Sequence, residues 1–387
     1  MSNPRIPFQR PEMPPSSAID RYFESSRAAN YYSNGGPCAI ELQARVESRI
    51  GGGHAVLVNN ATSGLMVAAC AAFRRNGTSG HVIVPSFTFA ATATALIWAG
   101  YEPVFCDVDP VGLHLDPSAL AALLYQYRDS IVGVFACSTF GVAPPAGVVA
   151  TWESLTRQSR VPLIVDSAAG FGSLDELGRG LGHQGTAEVF SFHATKPFAV
   201  GEGGAITTDD EELAAEMRLL INFGFNAERV VSGPAGMNAK MPEIMCAIGL
   251  AVDDCFDSVI THRRSIATLM VDRLAPMGVG VQPNLLTGAI QFLPVTVPPA
   301  SRSAVFDTLL ARGVEARRYF DPALHCMPAF RRYDRGPLPV TEALMESVIS
   351  LPMSNNLTSE LANDIVDAVR DGLGAHRCRS GDLASVR

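Results

Sequence analysis

The chain has 387 residues, 47% of them hydrophobic and 18% charged, with a formal charge of -8. That length exceeds one ordinary core, and the composition excludes a disordered or fibrous chain. The negative balance argues against a nucleic-acid surface, which needs a basic stripe; the arginine pairs 263–264, 317–318 and 331–332 are local exceptions.

No apolar run reaches membrane-spanning length, and Met1 to Pro15 is polar and proline-rich rather than basic and then apolar. A cytoplasmic protein is expected. The eight cysteines stand apart at 38, 70, 106, 137, 246, 255, 326 and 378. With no Cys-x-x-Cys pair and no His/Cys cluster at ligand spacing, neither a disulfide framework nor a metal site is expected.

From about residue 40 to 220, short apolar runs alternate with helical stretches. Ala55–Val58, Val82–Val84, Pro103–Phe105, Ile131–Phe135, Leu163–Val165, Val189–Ser191 and Ala205–Thr207 read as buried strands, with helices over Ser63–Arg74 and Pro117–Tyr127 between some of them. This alternation predicts an α/β domain with a seven-stranded, mostly parallel sheet, and a ligand at the strand C-terminal ends. Residues 243–275 read as continuously helical, a bridge to a smaller second domain. Parts of Val279–Val297 and Gly313–Arg318 look like strands. Ser359–Leu373 reads as an amphipathic helix capped by Thr358. The predicted division is 1–255, a large domain with an N-terminal segment, and 256–387, a small α/β domain.

Four places along this pattern carry chemistry. Asn59-Asn-Ala-Thr-Ser-Gly64 joins a strand to a helix; its free N–H groups would make an anion site, and plain capping by Asn60 or Thr62 explains the same residues equally well. Phe89, at the end of Val84-Pro-Ser-Phe-Thr-Phe89, either stacks on a planar ring or belongs to the core. Asp166 ends the apolar run Val161–Val165, where a carboxylate is costly to ionise unless it meets a cation such as a protonated pyridine or a metal; capping of the next turn is the alternative. The fourth is Lys196, in Ser191-Phe-His-Ala-Thr-Lys196-Pro-Phe-Ala-Val-Gly-Glu-Gly-Gly204.

Lys196 is one of only two lysines, the other being Lys240. Desolvation beside Phe192, Phe198 and Val200 would lower its pKa and free its lone pair for a carbonyl, which is what a Schiff base requires. A lysine snorkelling out of a loop is the competing reading.

In order and spacing these segments resemble the pyridoxal-phosphate aminotransferases of the DegT type, a fold type I family acting on nucleotide-linked keto sugars. The resemblance also takes in Tyr32-Ser-Asn-Gly-Gly-Pro37, Pro103–Asp109, Asn222-Phe-Gly224 and Ser350-Leu-Pro-Met353. It implies that Lys196 forms the Schiff base with pyridoxal phosphate and moves the substrate proton. Asp166 would hold the pyridine nitrogen protonated, and Phe89 would stack on the ring. The amides of Ala61 and Thr62, the Ser191 hydroxyl and Asn222 from a second subunit would bind the phosphate, so a homodimer with shared active sites is implied. His193 and Lys240 are candidate substrate contacts, and each also has a structural reading, packing for His193 and the subunit interface for Lys240.

Many relatives have Ser-Gly-Thr where this chain has Asn60-Ala61-Thr62, and glutamine or histidine where it has Ala169. A histidine in place of Lys196 accompanies sugar dehydration in the family. With lysine present, transamination from glutamate to a nucleotide-linked keto sugar is expected, with a 4-keto-6-deoxy sugar of secondary metabolism favoured. The alternatives keep the cofactor: a sugar dehydratase, or an aminotransferase of a non-nucleotide substrate. Gly201-Glu-Gly-Gly204 lacks the spacing of a dinucleotide fingerprint. A binding or regulatory protein without turnover would have no need of both Lys196 and Asp166.

Overall fold

A computed structural model describes residues 4–384, with Arg75, Ser232 and Ala235 excepted. Two helices, α1 (Ser16–Ala28) and α2 (Pro37–Ile50), precede the first strand, β1 (His54–Val58). Then come α3 (Ala61–Phe73), β2 (His81–Pro85), α4 (Ala90–Trp98), β3 (Glu102–Cys106), α5 (Pro117–Gln126) and β4 (Ile131–Cys137). They are followed by α6 (Ala146–Ser159), β5 (Leu163–Asp166), β6 (Ala187–Ser191), β7 (Gly204–Thr208) and α7 (Glu211–Leu220). The remaining elements are α8 (Glu243–Asp253), α9 (Phe256–Leu274), β8 (Leu293–Thr296), α10 (Pro299–Ala311), α11 (Pro339–Met345), β9 (Val348–Leu351) and α12 (Ser359–Ala384).

All seven apolar runs form strands of one sheet, in the order β1-β7-β6-β5-β4-β2-β3. Only β7 runs against its neighbours; the other pairings are parallel. Strands such as β4 and β5 are buried along their whole length, which is why their sequences are continuously apolar rather than alternating. The chain runs outward from β2 to β3 and then returns to β4 beside β2, so the strand order reverses there, and a crevice opens at the C-terminal ends. Local chemistry sets the helix starts: Asn60, Asp116 and Asp210 each accept a backbone N–H three residues on.

The start of α2 is capped from far away. Glu243, fully buried at the head of α8, accepts from the N–H groups of Gly36 (2.8 Å), Cys38 (3.0 Å) and Ala39 (3.1 Å), and from Ser26 Oγ (2.7 Å). An anion at a helix N-terminus offsets the cost of burying it.

The predicted continuous helix over 243–275 is two helices. The break falls at Asp254 and Cys255, where Asp254 accepts from Tyr22 and pairs with Arg21 and Arg45, while Asp253 pairs with Arg45 and Arg49. Satisfying those arginines from two adjacent carboxylates turns the chain. Gly313–Arg318 is not a strand either. Val314 bridges Ile6 while Arg317 bridges Ser350, so neither partner extends a ladder. Within Val279–Val297 only Leu293–Thr296 is strand, paired antiparallel with β9. Thr358 does cap α12, its Oγ1 accepting from Leu361 N at 3.2 Å.

We propose 1–255 and 256–387 as the two domains, because α8 packs on α1 and α2 whereas α9 packs on α12. A short piece of the N-terminal segment joins the second core, where Ile6 is buried among residues of α9, α10 and α12.

Beneath the Lys196 loop lies a cluster of phenylalanines. Phe192 and Phe198 have ring centroids 4.8 Å apart, and Phe171 and Phe256 each lie 5.1 Å from Phe198. These rings anchor the loop on both sides of the lysine. Replacing Phe198 by alanine leaves a cavity in this cluster and is expected to destabilise the protein by about 3–5 kcal/mol, read as a lower urea midpoint.

Candidate active site

Strand ends converge on a cleft of about 670 Å³. β1 leads into Asn60, β2 into Thr88 and Phe89, and β4, β5 and β6 bring Ser138, Asp166 and Ser191. Gln291, Phe292, Tyr319 and Phe320 close it from the C-terminal side, and Gln9 from the N-terminal segment.

Lys196 and Asp166 both line this cleft. The Lys196 amine donates to Gln291 Oε1 at 2.9 Å. Burial lowers its pKa to about 8, with the Asp166 and Cys137 side chains pulling the other way. Asp166 accepts from Thr92 Oγ1 at 2.7 Å and from Ala168 N at 3.1 Å, yet burial still pushes its pKa above the ordinary carboxylate value. No cationic side chain among the described residues forms an ion pair with it. A carboxylate left in this state accommodates a cation presented from the cleft.

The anion site predicted at the start of α3 is also present in geometry. Asn60 Oδ1 takes the Ser63 amide at 2.9 Å, which makes Asn60 rather than Thr62 the cap. The amides of Ala61 and Thr62 make no hydrogen bond among the described residues, and both residues line the cleft. Ser191 Oγ sits at the same end of the sheet, accepting from His193 N at 3.3 Å. Gly204 makes this packing feasible, because a Cβ there would lie 2.6 Å from Phe190 O and 3.1 Å from Ala61 N.

Phe89 is 60% exposed, although it is a large aromatic inside a cleft. It belongs to no described core cluster, and its face is free for a planar ring. His193 lines the same cleft, with Nδ1 2.9 Å from Thr195 Oγ1 and Nε2 3.7 Å from Glu202 Oε1. Asn222 and Lys240 do not line the cleft of their own chain. They bond each other at 2.9 Å, and the Lys240 amine lies 4.9 Å from the Phe223 ring centroid.

Sequence reasoning missed Thr92 and Gln291, the direct partners of Asp166 and Lys196. Gln291 did leave a signal, a lone polar residue in the apolar run Ala289–Val295. Thr92 left almost none, being one of two threonines in the first turns of an alanine-rich helix.

These donors fit pyridoxal phosphate. An unpaired buried carboxylate suits a pyridinium, two free helix N–H groups and a hydroxyl suit the phosphate, and a depressed amine suits the aldehyde. Known structures agree with that class. A putative PLP-dependent aminotransferase from Bacillus cereus matches with a TM-score of 0.87 and 30% identity, covering 94% of this chain and 99% of that one. DesI, solved in the presence of its TDP-sugar product, matches with a TM-score of 0.85 and 35% identity, covering 98% and 96%. Among curated relatives, dTDP-4-amino-4,6-dideoxy-D-glucose transaminase of Shigella dysenteriae is 29% identical over 377 residues, 94% of this chain and 97% of the relative. The chain belongs to the DegT/DnrJ/EryC1/StrS aminotransferase family, whose model matches residues 16–370. It is a pyridoxal-phosphate-dependent aminotransferase.

Thr92→Val keeps the shape of the side chain but removes the hydroxyl that steadies the Asp166 charge. A hydrogen bond to a charged group is worth about 1.5–3 kcal/mol, so cofactor affinity should fall about tenfold or more in a fluorescence titration of cofactor-free protein.

Proposed function

We propose that this enzyme moves an amino group from glutamate to a nucleotide-linked keto sugar, a 4-keto-6-deoxy sugar in deoxysugar biosynthesis of secondary metabolism. The observation that carries the reading is a depressed lysine and an unpaired buried aspartate facing one cleft. Bound pyridoxal phosphate supplies the electron sink that lets a proton leave the amine-bearing carbon.

The residues of the chain supply the rest. The Lys196 amine, with its depressed pKa, would take the proton from the amine-bearing carbon of the donor and deliver it to the cofactor C4' carbon, and would run the same transfer in reverse for the keto sugar. Asp166 holds the ring nitrogen in its protonated form by accepting its hydrogen bond. Phe89 covers one face of the ring and keeps water from it. The Ala61 and Thr62 amides and the Ser191 hydroxyl fix the phosphate, so the reacting atoms stay within reach of Lys196. His193, at the cleft wall, and Lys240 are assigned to the sugar-nucleotide.

Asn222 is assigned to the phosphate of a second copy, in a homodimer that completes each site from two chains. Two features support this. Asn222 and Lys240 lie outside their own cleft, and the nearby Phe223 and Val231, with Tyr31 and Tyr32, stay 44–53% exposed, apolar area that a second chain would cover. The substrate class is supported by the two sugar-nucleotide relatives, one a dTDP-4-amino-4,6-dideoxy-D-glucose transaminase and one solved with its TDP-sugar product. Among the described residues no helix is long and apolar enough to cross a membrane. A cytoplasmic location is part of the proposal.

The test is product analysis. Purified enzyme with glutamate and a nucleotide-linked 4-keto-6-deoxy sugar should release 2-oxoglutarate and an amino sugar in equal amounts by mass spectrometry. A sugar product that has lost water but gained no nitrogen would sink this reading. Lys196→Ala should lower turnover by about 10²–10⁴-fold or more, the usual share of a positioned acid–base.

A pH dependence follows from the lysine. Capture of the cofactor aldehyde by cofactor-free protein requires the neutral amine, so its rate should climb with pH and level off above about 8. Stopped-flow absorbance checks it, and a rate still rising steadily toward pH ~10, the ordinary lysine value, would contradict a depressed amine.

A further inference from the structure

Among the described residues, Gln291 is the one side chain that hydrogen-bonds the Lys196 amine, and it comes from the other side of the cleft, 95 residues along the chain. It is 6% exposed. The two ends of an amide are told apart by their partners. Here Gln291 Nε2 points to Thr195 Oγ1 at 3.4 Å, which leaves Oε1 for the lysine.

The backbone under Gln291 is fixed just as firmly. Ile290 holds φ at 56°, a left-handed conformation that a β-branched residue rarely takes. Arg263 of α9, 5% exposed, donates from Nη1 to Ile290 O at 2.8 Å and to Gln291 O at 3.4 Å, while its Nε donates to Asn355 Oδ1 at 2.8 Å. A buried guanidinium thus ties this strained turn to α9 and to the loop ahead of α12.

We propose that Gln291 is a positioning residue that holds the free amine of Lys196 without supplying a counter-charge, so that the lysine can shed its proton whenever it is not joined to the cofactor. An amide oxygen accepts from either form and holds the ammonium somewhat more strongly, but it carries no formal charge to lock the lysine in that form. A carboxylate at the same distance would favour the ammonium and withdraw the base. The other groups facing Lys196 do not cancel this choice. Asp166 and Cys137 favour the charged form and burial opposes it, with burial the largest influence. His193 and Glu202 line the same cleft, and Arg10, Glu12, Cys255 and Arg263 line a smaller cavity of about 170 Å³ that Lys196 also borders.

The proposal rests on Lys196 being the cofactor lysine, and the two can fail separately. Because the chain has only Lys196 and Lys240, amine labelling yields two lysine peptides to follow. Cofactor-free full-length protein is trace-labelled with acetic anhydride between about pH 6 and 10, and the peptides are quantified by mass spectrometry. Gln291→Glu, of the same shape, should raise the Lys196 midpoint by about one unit, a tenfold loss of free amine at a given pH. Gln291→Met, which removes the acceptor, should lower it, with the Lys240 midpoint unmoved in both. Circular dichroism verifies the fold, and the isosteric Glu variant carries the test if the Met variant does not fold.

Borohydride reduction of the cofactor-loaded wild type should leave the pyridoxyl mass on the Lys196 peptide. Its absence there overturns the reading of Lys196 and this proposal with it. Its presence, with unmoved Lys196 midpoints in the folded variants, overturns the proposal alone.

Discussion

A buried carboxylate and a half-buried amine face one cleft, and among the described residues neither forms a side-chain ion pair. Everything else near the cleft serves that condition. The sheet delivers Asp166 at the end of a strand buried along its length, where little solvent reaches the charge. The phenylalanines at 171, 192, 198 and 256 pack beneath the lysine loop and anchor it. Thr92 and Gln291 then provide neutral hydrogen-bond partners, which orient the two groups without neutralising either. In the proposed function, a ligand that brings a cation for one group and an aldehyde for the other offsets the cost of the arrangement.

Two kinds of support keep the cleft in shape. Short-range capping starts α3 at Asn60 and leaves the next two amides free. Long-range capping by Glu243 fixes α2, and so the Ser33–Gly36 loop, to α8. Buried Arg263 plays a parallel part on the other side, since it gives its hydrogen bonds to backbone carbonyls and an asparagine rather than to a carboxylate. At Glu243 and at Arg263 a charge deep in the protein is spread over several hydrogen-bond partners, which offsets its desolvation cost.

The seven strands were legible because buried parallel strands leave unbroken apolar runs, and Lys196 and Asp166 because a charged residue in such surroundings is conspicuous. Their partners were not legible. Thr92 lies 74 residues from Asp166 and Gln291 lies 95 from Lys196, and no local pattern encodes contacts of that separation. The break at Asp254–Cys255 was hidden for the same reason, since it answers to arginines on α1 and α2. The strand reading of Gly313–Arg318 failed because Val314 pairs with Ile6 and Arg317 with Ser350, so no single partner extends a ladder. Asn222 and Lys240 entered through family resemblance alone, and a single chain sets them beside each other rather than in its own cleft.

The contacts of residues 5–9 reach across almost the whole chain. Arg5 pairs with Asp364, Ile6 bridges Val314, Phe8 N bonds Glu315 across 307 residues, and Gln9 forms part of the cleft wall. Phe8 is made 307 residues ahead of its partner Glu315. At about 5–20 residues per second, Ile6 and Phe8 wait on the order of fifteen seconds to a minute before their partners exist. The sheet can assemble during synthesis, but this wall of the cleft closes only once Val314, Glu315 and Asp364 have been made.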